Sequence, residues 1–229
     1  MTERTEDAQS QALRAFLLLC ALGQDWQGRL VLVQGLDAEG RAMSVAANIA
    51  GAACLALDSR AEVCRATLRA GACDFVVNTV DEALRILKNE IRKRKPVSVA
   101  LAIPETAALA ELGERGVVPD VFLISRGFEA QDAASTLAAL GTEVLGGEGG
   151  KLPPEFTVEH YAVENGFQLQ EYRFATAEEL QSFDRRLVGV LPEIDLRRRW
   201  ASRAAGFFYR DRPHRRVVYL TADEAARLS

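Results

Sequence analysis

Between Arg29 and about Leu140, short apolar runs alternate with longer stretches whose apolar positions recur at helical spacing. This alternation predicts parallel strands joined by crossover helices. The runs are Leu30–Gln34, Cys54–Asp58, Phe75–Asn78, Val97–Ala102 and Val121–Ser125. Each is apolar at consecutive positions, as a parallel strand covered on both faces must be. Helices are expected near Gly40–Ala50, Arg60–Ala70, Asp81–Lys95, Glu105–Arg115 and Asp132–Leu140. Gly51, Gly71, Gly116 and Gly141 follow four of them, where a left-handed cap favours glycine. Right-handed crossovers would lay these helices on both faces of one sheet, so the expected fold class is α/β, a doubly wound, mostly parallel, Rossmann-like sheet.

After Leu140 the pattern changes. Gly146-Gly147-Glu148-Gly149-Gly150 and Pro153-Pro154 read as a flexible and then a stiff stretch, marking a boundary. Beyond it, Phe156–Glu164 and Phe167–Phe174 flank Asn165-Gly166, which reads as a hairpin with a type I′ turn. Helical period returns over Ala177–Val190 and Asp195–Tyr209, followed by a strand at Arg216–Leu220 and a short helix from Ala222. The expected domains are an N-terminal helix over 1–22, a Rossmann-like domain over 23–145, a Gly/Pro linker or loop over 146–155, and an α+β appendage over 156–229.

Composition narrows the class. Apolar residues are 48% of the 229 and charged residues 26%, the usage of a soluble globular chain. No run approaches the ~20 apolar residues of a membrane span, and the acidic N-terminus does not resemble a secretory signal, so a cytoplasmic protein is expected. Cys20, Cys54, Cys64 and Cys73 form no CxxC pair and have no nearby histidine. Small buried hydrophobes in a reducing compartment are therefore expected, with no metal site. The net charge of −4 argues against a nucleic-acid footprint over the whole surface. One local exception runs from Arg185-Arg186 through Arg197-Arg198-Arg199 to Arg215-Arg216, interleaved with Trp200, Phe207, Phe208 and Tyr209. Such a stripe could bind phosphates and stack bases, but a solvated face or arginines paired with acids is the commoner arrangement, and nucleic acid is not the expected partner.

The candidate chemistry sits after the first strand. Gly35-Leu36-Asp37-Ala38-Glu39-Gly40 opens a helix where a dinucleotide fold presents backbone N–H groups to a pyrophosphate. Gly35 and Gly40 are therefore candidate cofactor contacts, although Asp37 and Glu39 bring two negative charges to the same turn. Asp58 ends the second strand some twenty residues on, where an acid would bind ribose hydroxyls; it equally suits capping the helix that follows. Ser125 and Arg126 lie at the end of the fifth strand, where ligands of open α/β sheets bind. His160 and His214 fall outside that region, and no residue is assigned a catalytic role.

Several segments resemble the central Rossmann-like domain of the urocanases (urocanate hydratases). They are Gly23-Gln24-Asp25-Trp26-Gln27-Gly28, Gly35-Leu36, Ala47-Asn48-Ile49-Ala50-Gly51-Ala52, Asp81-Glu82-Ala83-Leu84 and Arg115-Gly116-Val117-Val118-Pro119-Asp120-Val121. The resemblance implies a shared fold and a seat for NAD, which that family uses as an electrophile, with Gly35, Gly40 and Asp58 at matching positions. The departures fall on functional positions. A urocanase has further glycines where this chain has Asp37, Ala38 and Arg41. It has Gly-Asn where this chain has Ile103-Pro104, and a Thr-Asp-Gln-Thr-Ser-x-His-Asp run where this chain reads Leu123 to Ala130. No counterpart of the family's catalytic core domain is recognisable. The expectation is a urocanase-like domain without hydratase activity, serving as a ligand-sensing or protein-interaction module, as a homodimer with a small-molecule or nucleotide ligand. The alternative is an NAD-binding lyase or oxidoreductase with a rearranged site around Gly35, Asp58 and Arg126.

Overall fold

The computed structural model describes residues 7–147 and 157–228. These form two compact units, one of residues 7–25 with 157–228 and the other of residues 26–147.

The second unit is a six-stranded, all-parallel sheet with strand order β3-β4-β2-β1-β5-β6. Its elements are β1 (Leu30–Gln34), α2 (Ala38–Ala50), β2 (Ala53–Leu57), α3 (Ala61–Arg69), β3 (Phe75–Val77), α4 (Val80–Arg92), β4 (Val97–Leu101), α5 (Glu105–Glu114), β5 (Val121–Ile124), α6 (Gln131–Ala139) and β6 (Glu143–Gly146). The five expected strands are present, β1 with the expected ends and the others within a residue at either end. The chain leaves β1 toward β2 and later returns to place β5 on β1's other side, with Val31 opposite Val121 and Gln34 opposite Ile124. The switch point of the sheet therefore lies between the C-terminal ends of β1 and β5, the crevice where open α/β sheets bind ligands.

All residues of β1, β2, β4 and β5 are buried. On one face, Leu30 and Leu32 join Leu55, Val99 and Phe122 in a core closed by α4, α5 and α6. On the other face α2 packs on β1, β2 and β4. A polar tie anchors that face: the Asp74 carboxylate accepts from the Ser98 N–H at 2.7 Å and from the Asn48 amide at 3.1 Å. Gly51, Gly71, Gly116 and Gly141 all adopt positive φ.

β6 has no counterpart among the sequence-predicted strands. Glu143 is exposed and only Leu145 is buried, so this edge strand lacks the continuous apolar run of its neighbours. Most of the expected linker lies outside the described residues. Gly146, at its start, has φ +74 with the Ile124 carbonyl crowding its Cα.

In the other unit, α1 (Ala8–Leu22) packs with α7 (Val158–Glu164), α9 (Arg197–Phe208) and β8 (His214–Leu220). The unit also contains β7 (Gln168–Phe174), α8 (Ala177–Val190) and α10 (Ala222–Ala226). The hairpin expected around Asn165-Gly166 is not there. Val158–Glu164 is a helix, and Asn165-Gly166 ends it: the Gly166 N–H bonds to the Val163 carbonyl and the Phe167 N–H to the Ala162 carbonyl. Those two bonds make a Schellman cap, and the accompanying apolar contact is Phe167 against Tyr161, with ring centroids 6.0 Å apart. A glycine at positive φ serves a helix end as well as a hairpin turn. β7 instead pairs antiparallel with the distant β8, Gln168 opposite Leu220 and Phe174 opposite His214.

Two buried arginines hold this unit together. Arg216, 1% exposed, meets Asp184 through Nε and Nη2, both at 2.8 Å. Arg197 donates to Glu224, Asp195 and the Tyr219 carbonyl, with its guanidinium 3.8 Å from the Phe167 ring centroid. The arginine stripe is thus divided: two of its members are interior ties, while Arg185, Arg186, Arg210 and Arg212 are exposed.

Candidate functional site at the sheet switch point

The turn after β1 begins with Gly35 at φ +90, its N–H bonded to the Leu57 carbonyl at 2.8 Å. That conformation is open to glycine and strained for other residues. Asp37 caps α2, its carboxylate accepting from the Gly40 N–H at 2.9 Å. Gly40 lies in the first turn of α2 so close to the preceding turn that a Cβ would stand 1.9 Å from the Gly35 carbonyl oxygen. Gly40 therefore sets how tightly helix and strand pack. Ser125, fully buried, donates its hydroxyl to that same carbonyl at 3.3 Å, tying the loop after β5 to the loop after β1.

Asp58 stands at the end of β2 and is fully buried. Its carboxylate accepts from the Leu36 N–H at 2.8 Å, the Arg60 N–H at 3.0 Å, and Arg60 Nε and Nη2 at 2.9 and 2.7 Å. Burial pushes its pKa up, but the Arg60 side chain and the two backbone donors outweigh burial and hold the carboxyl below its usual range. Asp58 bonds the N-terminus of the α3 segment at Arg60 and also fastens the turn after β1.

A parallel sheet with its first βα turn at the switch point, a positive-φ glycine, a close-packing second glycine and an acid ending β2 is the skeleton of a dinucleotide fold. Residues 12–124 match the family model of the urocanase Rossmann-like domain. That stretch is just under half of the 229 residues and ends on the last residue of β5.

The loop that follows the matched urocanase-like stretch decides the state of the site. Ser125-Arg126-Gly127-Phe128 closes a turn, with the Phe128 N–H on the Ser125 carbonyl at 3.2 Å and Gly127 at φ +82. It turns Phe128 back onto the first glycine: a Cβ on Gly35 would lie 2.3 Å from the Phe128 ring. The Arg60 guanidinium sits 5.8 Å from the centre of the same ring. Gly35, Asp58, Arg60, Ser125 and Phe128 are thus one packed cluster.

This arrangement does not fit a dinucleotide. The face of Gly35 that a pyrophosphate would approach is covered by Phe128, and the Asp58 carboxylate that would receive ribose hydroxyls already accepts four hydrogen bonds. Asp37 occupies the Gly40 N–H in the first turn of α2, where Glu39 also lies. Burial and the Asp37 charge raise the Glu39 pKa, while Arg126 pulls it down. Like charges about 4 Å apart repel by roughly 4 kcal/mol at an effective dielectric near 20, so a diphosphate would meet repulsion as well as a filled space. Arg41 donates to the Leu36 carbonyl at 3.2 Å.

Of the residues expected at the site, Gly35, Gly40, Asp58 and Ser125 come together, and Arg126 stands exposed beside Glu39. The histidines do not join them: His160 lies in α7, 3.1 Å from Glu164, and His214 opens β8. Arg60 and Phe128 escaped sequence reasoning. The available signals were an arginine two residues after the acid and an aromatic residue just past β5. Among the described residues no group of three or more His, Cys, Asp or Glu is placed to hold a metal ion, and no helix is long and apolar enough to cross a membrane.

Proposed function

We propose that this chain uses a urocanase Rossmann-like scaffold as a ligand-sensing or interaction module, without hydratase activity and without NAD at the switch point. The observation that carries this reading is the filled crevice, with Phe128 on Gly35 and the Asp58 carboxylate saturated by Arg60 and Leu36. The acid that a cofactor would use and the glycine it would approach are both committed to internal contacts. Four buried free cysteines accord with work in a reducing cytoplasm.

Heat-shift titration with NAD tests the reading. A ligand at 100 times its Kd adds about 2.7 kcal/mol of stability, readily seen as a rise in Tm. No rise is expected. A clear rise, or loss of ultraviolet absorbance when the protein is mixed with urocanate, would replace this reading with the NAD-dependent enzyme.

A further inference from the structure

The sheet face covered by α4, α5 and α6 is not fully closed. The connection from β4 to β5 passes two strands, whereas β5 and β6 are neighbours. Between α5 and α6 there remains a cavity of about 680 Å³ over Leu30 and Leu32 of β1. That is within the size of pockets that hold small organic molecules. Its walls are Leu109 and Leu112 from α5 and Leu137 from α6, and its lower end is formed by Val117, Val118 and Pro119.

The upper end, where α5 and α6 begin, differs in character. Thr106, Glu129, Gln131 and Asp132 line it, and no lysine or arginine lines any part of the cavity. Neither the Glu129 nor the Asp132 carboxylate has a cation partner among the described residues. Gln34 sits behind that end, bonded to Glu129 but outside the cavity lining. Leu30, Leu32 and Gln34 project on one side of β1 by the two-residue alternation of a strand. Gln34, 2% exposed, donates its amide to the Glu129 carbonyl at 3.2 Å, while its Oε1 is buried with no donor.

We propose that this cavity binds a small amphiphilic amine, its apolar body against Leu30, Leu32 and Leu137 and its protonated nitrogen at the Glu129–Asp132 end. An apolar slot alone would take any lipophile. The two carboxylates select a cationic head and repel a carboxylate one. The inference rests on the reading of the domain as a binding module and locates its ligand away from the blocked crevice.

Phenylbutylamine, phenylbutanol and phenylbutyrate share one apolar body and differ in head group, so calorimetric titration of each into the full chain tests the selection. The amine is expected to bind tightest and the carboxylate weakest, about tenfold apart or more. Glu129→Gln combined with Asp132→Asn removes the preference for the amine and leaves the alcohol unchanged. Gly113→Leu is the blocking variant. Gly113 lines the cavity, a Cβ there meets nothing within 4 Å, and leucine favours the helix over glycine. That variant should keep or raise the Tm while abolishing binding of all three compounds. Equal affinities, tightest binding of the carboxylate, no binding at all, or amine binding undisturbed by Gly113→Leu would overturn the proposal. A positive NAD titration alongside amine selection would remove the module reading and leave the cavity's selectivity standing. A negative one without amine binding would remove the cavity inference alone.

Discussion

The two units of this protein each display charges that look from the sequence like the makings of a binding site, and each commits them internally in a different way. In the urocanase-like unit, Asp58 is neutralised by Arg60, two residues away, whose side chain is 48% exposed. In the other unit, Arg216 and Arg197 are interior and reach acids far along the chain, Asp184 and Glu224, with Arg197 also holding Asp195 two residues away. The first arrangement is a local closure over a crevice. The second joins helices to strands. A buried charge held by a distant partner joins separate elements, whereas one held by an exposed neighbour closes over the space beside it.

The largest effect is expected for Arg216→Ala, which leaves Asp184 as an unpaired interior charge and should cost about 3–5 kcal/mol in urea unfolding. Adding Asp184→Leu to Arg216→Met should recover most of that, because the interior then holds no unpaired charge. Asp58→Asn comes next, at about 1.5–3 kcal/mol at neutral pH, since charge-assisted bonds from Arg60 and the Leu36 N–H are lost. Because folding lowers the Asp58 pKa, its contribution is present above the ordinary aspartate range, about 3.9, and disappears as pH falls through the lower folded value. The stability gap between wild type and Asp58→Asn should therefore narrow as pH falls from 7 to below about 3.9; a gap that widened in acid would contradict the assignment. Phe128→Ala should cost about 1–2 kcal/mol, below the loss for a fully buried phenylalanine. It should leave the NAD titration flat, because Arg60 still holds the Asp58 carboxylate and Asp37 and Glu39 still charge the turn that opens α2. Arg173→Ala should change stability by less than about 0.5 kcal/mol, since its pair with Glu171 is largely exposed.

The alternating fold was legible because parallel strands covered on both sides are buried throughout and so almost wholly apolar, and β1, β2, β4 and β5 depart from that only at Gln34 and Ser98. β6 was not legible, for it is an edge strand with a single buried side chain. Asn165-Gly166 carried too little information: a residue at positive φ ends helices and turns hairpins alike, and the tertiary pairing of β7 with β8 decided between them. At the site, the positions of Gly35, Gly40 and Asp58 could be read from spacing, and so could the repulsion from Asp37 and Glu39. The closure by Arg60 and Phe128 could not. It depends on a turn folding the loop after β5 across the end of β1, which brings together residues 93 positions apart. Gln34 left a faint signal as the polar end of an otherwise apolar strand.

All four cysteines lie inside, and burial raises every thiol pKa, with Cys64 pushed up to about 11 and Cys54 and Cys73 to about 12. At neutral pH the folded molecule therefore offers almost no thiolate to an alkylating reagent or a peroxide. Sulfur labelling should keep time with the opening of the chain: Cys20 reports on one unit and the other three on its neighbour, so a single reagent can record the two unfolding separately.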